Sequence, residues 1–551
     1  MTILANVIFY NFLFFLGRGF LNLPDLILKR KNNSLKKIFG LPQSTFYVFF
    51  GLIFIGNIAF LLNFFIGLGS LLPKILIFII LLINFFNKIE IKDRLVLLIS
   101  NIIIPSILSI SAYNIGFHYD AGYYHLNFQN WIINNKIVFG LSNIAPPLGL
   151  ASVNDYISSI FWLENNFILL HFIQLASIAA FYSFLLQLFI SQEKNIYKVV
   201  AINILIFSIL DNFGFGGGRN GFIYIQGIGK PDIIFSIIFF VSFLLSINLI
   251  NKKKISLEEF IYLNWLILFC FQIKVFGALL VIPYISLIYK KRKSLLKKIK
   301  SSKTFYFQIL IGLLWSLKSF ILSGCLVFPV KETCIQNVRW FSNNFFEKFY
   351  IETKVFNKAF FVGDKIDSWF SDWIEVVENK NILFNFLISY LVIVLINFLI
   401  SNNKNICKKN SLYIALFALF SIFILIVSSP LPRFLIPVFM IVISSINTDY
   451  EDTENKVRSS IITYSKFIFI FFTLVSTFLL VRLDSHLAFI NSPQENITIE
   501  SMEIKYINND HWGVGPENGD RCWINIKCTN WEGINPKIYN YFGYKYIELN
   551  D

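Results

Sequence analysis

Charged residues are scarce in this chain: Asp, Glu, Lys and Arg make up only 15% of its 551 residues. A soluble globular protein carries roughly a quarter. The shortage argues against a soluble enzyme and against a disordered protein. With 27 glycines the chain also lacks the glycine at every third position that a collagen-like fibre needs. What is abundant is apolar: 56% of residues are hydrophobic and 18% are aromatic. The composition indicates a polytopic membrane protein.

Apolar runs long enough to cross a bilayer recur along the chain, and only helices satisfy every backbone group there without a partner segment. We therefore predict an all-α membrane protein with about 12–14 transmembrane helices. The predicted runs are 2–20, 46–68, 71–87, 95–113, 167–190, 197–213, 231–250, 256–273, 275–289, 304–322, 383–400, 411–428, 431–447 and 461–481.

Basic residues collect in alternate loops, which predicts the orientation of the chain. The sets are 29–37, 252–254, 290–303 and 404–409. The positive-inside rule makes these loops cytoplasmic, so we interpret the net charge of +15 as a topology signal and not as a nucleic-acid site. This divides the chain into a transmembrane domain, 1–481, and an extracytoplasmic tail module, 482–551. Within the domain, loops 114–163 and 323–382 are predicted to lie outside, so chemistry is expected on the outer face.

The chain has six cysteines, too few for a disulfide scaffold. Four of them fall in segments predicted to lie outside, where disulfides form. We predict the pairs Cys325–Cys334 and Cys522–Cys528, with four free thiols as the alternative.

The first outer loop places Asp120 just beyond a span, at the predicted start of a helix. Apolar residues at 124, 128, 131 and 132 predict an amphipathic helix on the membrane surface. Asp120 is a favoured helix N-cap residue, so plain capping is one interpretation of it. A zinc site formed by His118, Asp120 and His125 is a less favoured one, because positions 120 and 125 do not share a helix face.

The stretch HYDAGYYHLNFQNWIINNKIVFGLSNI resembles the first outer loop of bacterial polytopic proteins related to the GT-C glycosyltransferases. The matching positions are Asp120, Tyr124, His125, Gly140, Leu141 and Asn143. Further stretches that resemble these proteins are GKPDIIFSIIFF, SGCLVFPVKETCIQNVRWF, SPLPRFLIP and GDRCWINIKC, so the resemblance runs from about 114 to 530.

The resemblance implies a GT-C-like fold and an inverting transfer of a sugar from a polyprenyl-phosphate carrier. Asp120 is then the candidate catalytic base, with His125 beside it in the catalytic set. Asp120 stands alone, followed by Ala121 and Gly122, so the Asp-x-Asp or Glu-Asp pair of better-known GT-C enzymes is missing. We therefore expect no cofactor and assign no metal ligand, although a divalent ion is compatible with the chemistry.

A lipid phosphate as leaving group calls for cations at the outer headgroup level. The candidate substrate-binding residues are Tyr124, Arg219, Asp232, Lys274 and Arg433. The four charged candidates each have a plainer interpretation: Lys274 and Arg433 as snorkelling cations, Arg219 as part of a solvated loop, and Asp232 as a complement to the helix dipole.

The leading hypothesis is a glycosyltransferase of the bacterial inner membrane that builds an envelope polysaccharide or glycolipid, with its active site and C-terminus outside. Its expected partners are the lipid-linked donor, a glycan or lipid acceptor and the bilayer, with no nucleic acid. An O-antigen or capsule polymerase ranks second, because it would rely more on outer arginines and the chain has few of them in its predicted outer segments. A flippase ranks third, because charges deep in the spans are sparse.

Overall fold

The computed structural model describes residues 1–27, 37–86, 93–163, 166–190, 195–213, 227–359, 369–400, 408–446, 459–491, 506–507, 515–516, 521–526, 528–529 and 536–549. The structure is 78% helical and nearly all-α, as the composition predicts. Its apolar core is built from residues of most of the long helices.

The α-helices of the described residues are α1 Thr2–Ile27, α2 Tyr47–Asn63, α3 Leu71–Leu82, α4 Arg94–Leu98, α5 Ile104–Ser109, α6 Leu126–Asn134, α7 Val153–Ile160, α8 Ile168–Ile190, α9 Asn195–Phe213, α10 Asp232–Asn251, α11 Leu257–Ile273, α12 Val281–Lys300, α13 Lys303–Ser323, α14 Asn343–Ala359, α15 Trp369–Glu375, α16 Val377–Ile400, α17 Lys408–Ser428, α18 Ile436–Ser444, α19 Ser459–Leu480 and α20 Leu483–Asn491. Three antiparallel pairs of strands accompany them: β1 Lys37–Ile38 with β2 Leu41–Pro42, β3 Tyr506–Ile507 with β4 Gly515–Pro516, and β5 Pro536–Tyr541 with β6 Tyr544–Leu549.

Among the described residues, 7 helices are long and apolar enough to cross a membrane. The count becomes 8 if the bent pair Ser465–Leu480 and Leu483–Asn491 is one span. The protein is therefore an integral membrane protein. The larger number predicted from sequence also counts shorter apolar helices, such as Leu71–Leu82 and Pro432–Ser444, and helices interrupted by charges. These helices are too short or too charged to count as membrane spans by length and composition.

Loops far apart in sequence meet at one end of the helix bundle, which we call the polar-loop end. Here the turn at Gly140 donates a backbone hydrogen bond to Ile321 near the end of α13. Ser152, at the start of α7, donates from its Oγ to the carbonyl of Ile273, the last residue of α11, at 2.9 Å. Asp232 at the start of α10 pairs with Lys274. All of these segments belong to, or adjoin, loops that the sequence places outside.

Two of the basic loops meet at the other end of the bundle, about 30 Å away along the 20 residues of α10 at ~1.5 Å per residue. There Lys291 donates to the carbonyl of Lys252 at 2.6 Å and Lys298 to that of Ile255 at 2.9 Å. Glu259 accepts hydrogen bonds from Lys252 at 2.6 Å and from the backbone of Phe39 at 3.1 Å. The chain thus separates this basic end from the polar-loop end.

The described parts of the tail pack on the polar-loop end. Hairpin β5–β6 contacts the turn that begins at Gly140, where the Asn143 amide donates to the carbonyl of Ile547 at 2.8 Å. Gly140 has a φ of 69°, and a Cβ there would lie 2.4 Å from that same carbonyl oxygen. The turn therefore requires glycine both for its backbone conformation and for close approach of the tail.

Both predicted cysteine pairs are joined in the structure. Cys325 is bonded to Cys334, and Cys522 to Cys528. The first bond closes a short loop after α13, and the second closes a loop in the tail. Cys270 is a buried free thiol in α11.

The separation of charge along the bundle gives a testable topology. We expect a membrane-impermeant maleimide to label Asn540→Cys on intact cells, because the tail lies at the polar-loop end. Ser301→Cys, at the basic end, should react only after permeabilisation, because the positive-inside rule keeps that end in the cytoplasm. Both positions are exposed in the structure. Labelling of Ser301→Cys alone on intact cells would show that the orientation is opposite to the predicted one.

Candidate functional site

Asp120 stands where the sequence predicts a helix start, but it does not act as a cap. The helix opens with a π-helical turn, Ala121–His125, and continues as α6. The Asp120 carboxylate makes no capping hydrogen bond to this helix. It is 24% exposed, and its nearest charged or titratable partner is His118, whose Nδ1 lies 3.4 Å from Oδ2. Asp120 is thus a partly exposed carboxylate that makes no hydrogen bond to the first turn of its helix.

His118 is held as a neutral imidazole beside Asp120. Its Nδ1 accepts a hydrogen bond from the backbone N–H of Asp120 at 3.1 Å, which places the ring proton on Nε2. Burial, together with the charge of Lys230 and against the opposing effect of the Asp120 carboxylate, lowers the pKa of His118 to about 4. At neutral pH the Asp120 carboxylate therefore faces a neutral ring and not an ion-pair partner.

His125 turns away from Asp120 and pairs with Asp155. Its Nδ1 lies 2.8 Å from Asp155 Oδ1, and the two side chains are 3% and 1% exposed. Burial alone would lower the pKa of His125, but the Asp155 carboxylate outweighs burial and raises the pKa above its ordinary value. His125 Nε2 makes no hydrogen bond to the described residues. The structure thus separates two residues that the sequence placed in one catalytic set.

Asp155 is fixed by several donors from different elements. Its carboxylate accepts from the Gln129 amide at 3.0 Å and from the backbone N–H of Ser152 at 3.2 Å. The second bond is half of a capping box at the start of α7. The Trp162 indole in turn donates to Gln129 Oε1 at 2.8 Å. A carboxylate with this many donors is held in one orientation, and it orients His125 with it.

A second cluster joins three helix ends at the polar-loop end. Asp232 pairs with Lys274, which follows α11, and lies 3.9 Å from Arg433, just before α18. The Lys274 ammonium also lies 4.1 Å from the centre of the Phe434 ring. Lys274 and Arg433 follow Asp232 by 42 and 201 residues in the sequence, so only the tertiary fold brings the three side chains together. Lys230 lies close enough to influence the pKa of His118, so it belongs to the same region.

Tyr124 lies within electrostatic reach of both groups of charges. Burial raises the pKa of its phenol well above the ordinary value, and the carboxylates of Asp120, Asp155 and Asp232 raise it further. The Ser152 hydroxyl links the clusters directly by bonding to Ile273, next to Lys274. Displacing one cluster would therefore displace the other.

A small apolar cavity of about 10 Å³, roughly room for one water molecule, lies beside the charged cluster. Its walls include Phe235 of α10, Phe276 after α11, and Phe434. These rings follow Asp232, Lys274 and Arg433 by three, two and one residues. The charged groups and the apolar walls thus share the same helix ends.

The tail packs against the π-helical turn Ala121–His125 that follows Asp120. The backbone N–H of Trp523 donates to the carbonyl of Gly122 at 2.9 Å. A Cβ on Gly122 would lie 3.0 Å from the Trp523 ring, so glycine permits this approach. Asn127 and Asn130 of α6 donate to the carbonyls of Asn525 and Ile524 at 2.6 and 2.7 Å. The helix predicted to lie on the membrane surface is instead buried between α7 and the tail.

Six of the seven residues that the sequence assigned to catalysis and substrate binding lie at the polar-loop end: Asp120, Tyr124, His125, Asp232, Lys274 and Arg433. Among them, His125 points away from Asp120 and pairs with Asp155. Arg219, the seventh, lies outside the described residues. Within the described ranges, no group of three or more His, Cys, Asp or Glu side chains is arranged to hold a metal ion. In particular, His125 is engaged by Asp155 and does not complete a set with His118 and Asp120.

Residues 1–440 match the family described as "Domain of unknown function (DUF8201)". The chain belongs to this family. No curated protein and no solved structure matches the chain. The family match includes Asp120 and Arg433, and so both clusters of this DUF8201 site, whereas the tail segments that pack on the site lie beyond the matched residues.

Two parts of the network were not assigned from the sequence. These are Asp155 and Gln129. The pattern Ser152-x-x-Asp155 is a helix-start signal that could have located α7, although nothing in the sequence links it to His125. Lys318, buried within α13, donates to the carbonyl of Ala151 at 2.8 Å and supports the same loop.

Asp155 and Asp120 should differ sharply in their contribution to stability. We expect Asp155→Asn to lower the free energy of unfolding by about 3 kcal/mol, because it breaks a buried pair. Asp120→Asn should cost less than about 1 kcal/mol, because its carboxylate is partly exposed and makes no capping bond. Thermal unfolding in detergent measures both. Equal losses would show that the two carboxylates have the same structural role.

The ion pair also predicts how stability depends on pH. Because the pKa of folded His125 lies above ~6.5, the pair stabilises fully below that pH and less as pH rises through the folded pKa. The destabilisation by His125→Gln, measured by thermal unfolding, should therefore be larger at about pH 6 than at about pH 9. A larger loss at the higher pH would contradict an ionised pair.

Proposed function

We propose that this protein is an integral membrane glycosyltransferase that transfers a sugar from a polyprenyl-phosphate carrier to an envelope glycan or lipid acceptor. We place the reaction at the polar-loop end, on the outer face of a bacterial inner membrane. The resemblance of the first loop to GT-C proteins motivates the proposal. The observation that carries it is the position of Asp120, a partly exposed carboxylate beside a cluster of cations.

The cationic cluster suits the phosphate of a lipid carrier. Lys230, Lys274 and Arg433 bring three positive charges, against which Asp232 and Asp120 bring two negative ones. Arg and Lys are the usual phosphate donors, and in a poorly solvated site they stabilise the charge that develops on a leaving phosphate. In this proposal the first part of the hydrocarbon chain lies against the apolar side chains next to Lys274 and Arg433, among them Phe276 and Phe434.

Asp120 is suited to accept the proton of the acceptor. As the acceptor hydroxyl oxygen bonds to the anomeric carbon, its proton passes to the Asp120 carboxylate. The bond between the anomeric carbon and the phosphate oxygen breaks, and the phosphate leaves with the electron pair. Attack opposite the leaving group inverts the anomeric centre. The cations of the protein stabilise the negative charge that develops on the leaving phosphate.

His125 receives a different role from the one that the sequence gave it. Its Nδ1 is occupied by Asp155 and its side chain is buried. We therefore assign His125 and Asp155 to holding the π-helical turn that begins next to Asp120. They are positioning residues, and their loss should misplace Asp120 without removing the base itself.

Sugar transfer in membranes tests the proposal. Wild type, Asp120→Asn and Glu332→Gln are compared at matched expression with polyprenyl-phosphate sugars as donors. We expect Asp120→Asn to lose at least about 100-fold in turnover, because a general base typically contributes that much. Glu332→Gln, in an exposed loop on the same end of the bundle, should retain full activity. Equal turnover by wild type and Asp120→Asn would contradict the role of Asp120, and no transfer by wild type from any such donor would contradict the function.

Binding of the carrier without its sugar tests the cationic cluster separately. We expect Arg433→Gln to weaken the affinity for a polyprenyl phosphate by about tenfold, equivalent to ~1.4 kcal/mol, because a charge-assisted contact to phosphate is lost. Arg339→Gln, in the loop after α13, is the control and should bind as wild type does. Unchanged affinity in Arg433→Gln would place the phosphate elsewhere.

A further inference from the structure

The turn of hairpin β5–β6 carries the most exposed aromatic side chain of the described tail. Phe542 is 89% exposed, and Tyr541 beside it is 64% exposed. The other end of the hairpin is well packed: Ile547 is buried, and the Tyr546 ring stacks on Phe139 at 4.3 Å. The hairpin is thus fixed at one end and presents a bare aromatic tip at the other.

The backbone of this tip is unsuited to a phenylalanine. Tyr541 pairs with Tyr544, so Phe542 and Gly543 form a two-residue loop with φ values of 48° and 75°. Both residues are in the left-handed region, as in a type I′ turn, where Asn-Gly is the favoured sequence. A bulky side chain at positive φ is uncommon because of steric crowding. Folding of the hairpin therefore gives no reason for Phe542.

The tip lies at the end of a membrane-spanning helix. Tyr544, directly after the turn, donates from its hydroxyl to the carbonyl of Phe64 at 2.9 Å. Phe64 immediately follows the candidate span Gln43–Asn63. Lys136 places a cation beside this turn, with its ammonium 5.0 Å from the centre of the Tyr544 ring. Phe65 is itself 69% exposed, so the apolar surface continues from the span to the hairpin.

We infer that the tip formed by Tyr541 and Phe542 inserts into the headgroup layer of the bilayer that the protein spans. Aromatic side chains favour this interface, where an apolar ring meets lipid chains and polar groups remain hydrated. The contact between Tyr544 and Phe64 brings the tip to that level. Membrane attachment at the tip and packing on Gly140 and Asn143 together hold the tail over the first loop. This inference stands apart from the proposed function.

A fluorescent label tests the insertion without any assay of activity. The full chain, with Cys270→Ala and Cys407→Ala, carries a nitrobenzoxadiazole dye at Phe542→Cys and is placed in nanodiscs with nitroxide-labelled lipid. The matched control carries the dye at Lys537→Cys, an exposed position on β5 about 13 Å beyond Tyr541 at ~3.3 Å per residue. Both sites are exposed, so neither label disrupts the core.

We expect the label at 542 to emit at shorter wavelength and to be quenched several-fold more by lipid nitroxide than the label at 537. Aqueous iodide should quench in the opposite order. A second variant, Phe542→Asn, keeps the hairpin because it gives the turn its preferred sequence. A label at Tyr541→Cys in that background should lose most of the lipid quenching that the same label shows when Phe542 is present. Solvent-like behaviour of the label at 542, equal to that at 537, would overturn the inference and leave the tip as a surface for a glycan or a second protein.

Discussion

The buried carboxylate of Asp155 is the interaction on which the rest of the site depends. It begins helix α7 by bonding to the backbone of Ser152, and it holds His125, next to the turn that carries Asp120. The hydroxyl of Ser152 then reaches the carbonyl that precedes Lys274. One short segment therefore sets the distance between a partly exposed carboxylate and a cluster of cations. A buried charge of this kind persists only where its partners are complete, and here Gln129 and His125 complete them.

The bilayer explains why the polar residues are gathered in this way. A chain with so few charges concentrates them at the two ends of its helices, because an ionisable group is costly within hydrocarbon. Lys291 and Lys252 mark the basic end, and Asp232 with Lys274 marks the polar-loop end. The long helices serve as spacers, and the functional geometry arises where their ends meet.

Much of this arrangement could be predicted from residue patterns. Runs of apolar residues located the helices, and the position of Asp120 beyond a span located the first loop. The partners of these residues could not be predicted, because they depend on tertiary packing: His125 meets Asp155 across 30 residues, and Asp232 meets Arg433 across 201. The resemblance to GT-C proteins placed His125 in the catalytic set with Asp120, whereas in the structure the His125 side chain pairs with the buried carboxylate of Asp155. The surface helix was also misjudged, because the tail that buries it is almost 400 residues away.

The account depends on a lipid phosphate lying between Asp120 and the cations. A cryo-electron microscopy structure of the full chain in nanodiscs with a bound polyprenyl phosphate tests this most directly. We predict the phosphate oxygens within ~3 Å of the Lys274 ammonium or the Arg433 guanidinium, with the hydrocarbon chain lying against the Phe434 ring. Density for the phosphate at the basic end, or none at saturating carrier, would contradict the account.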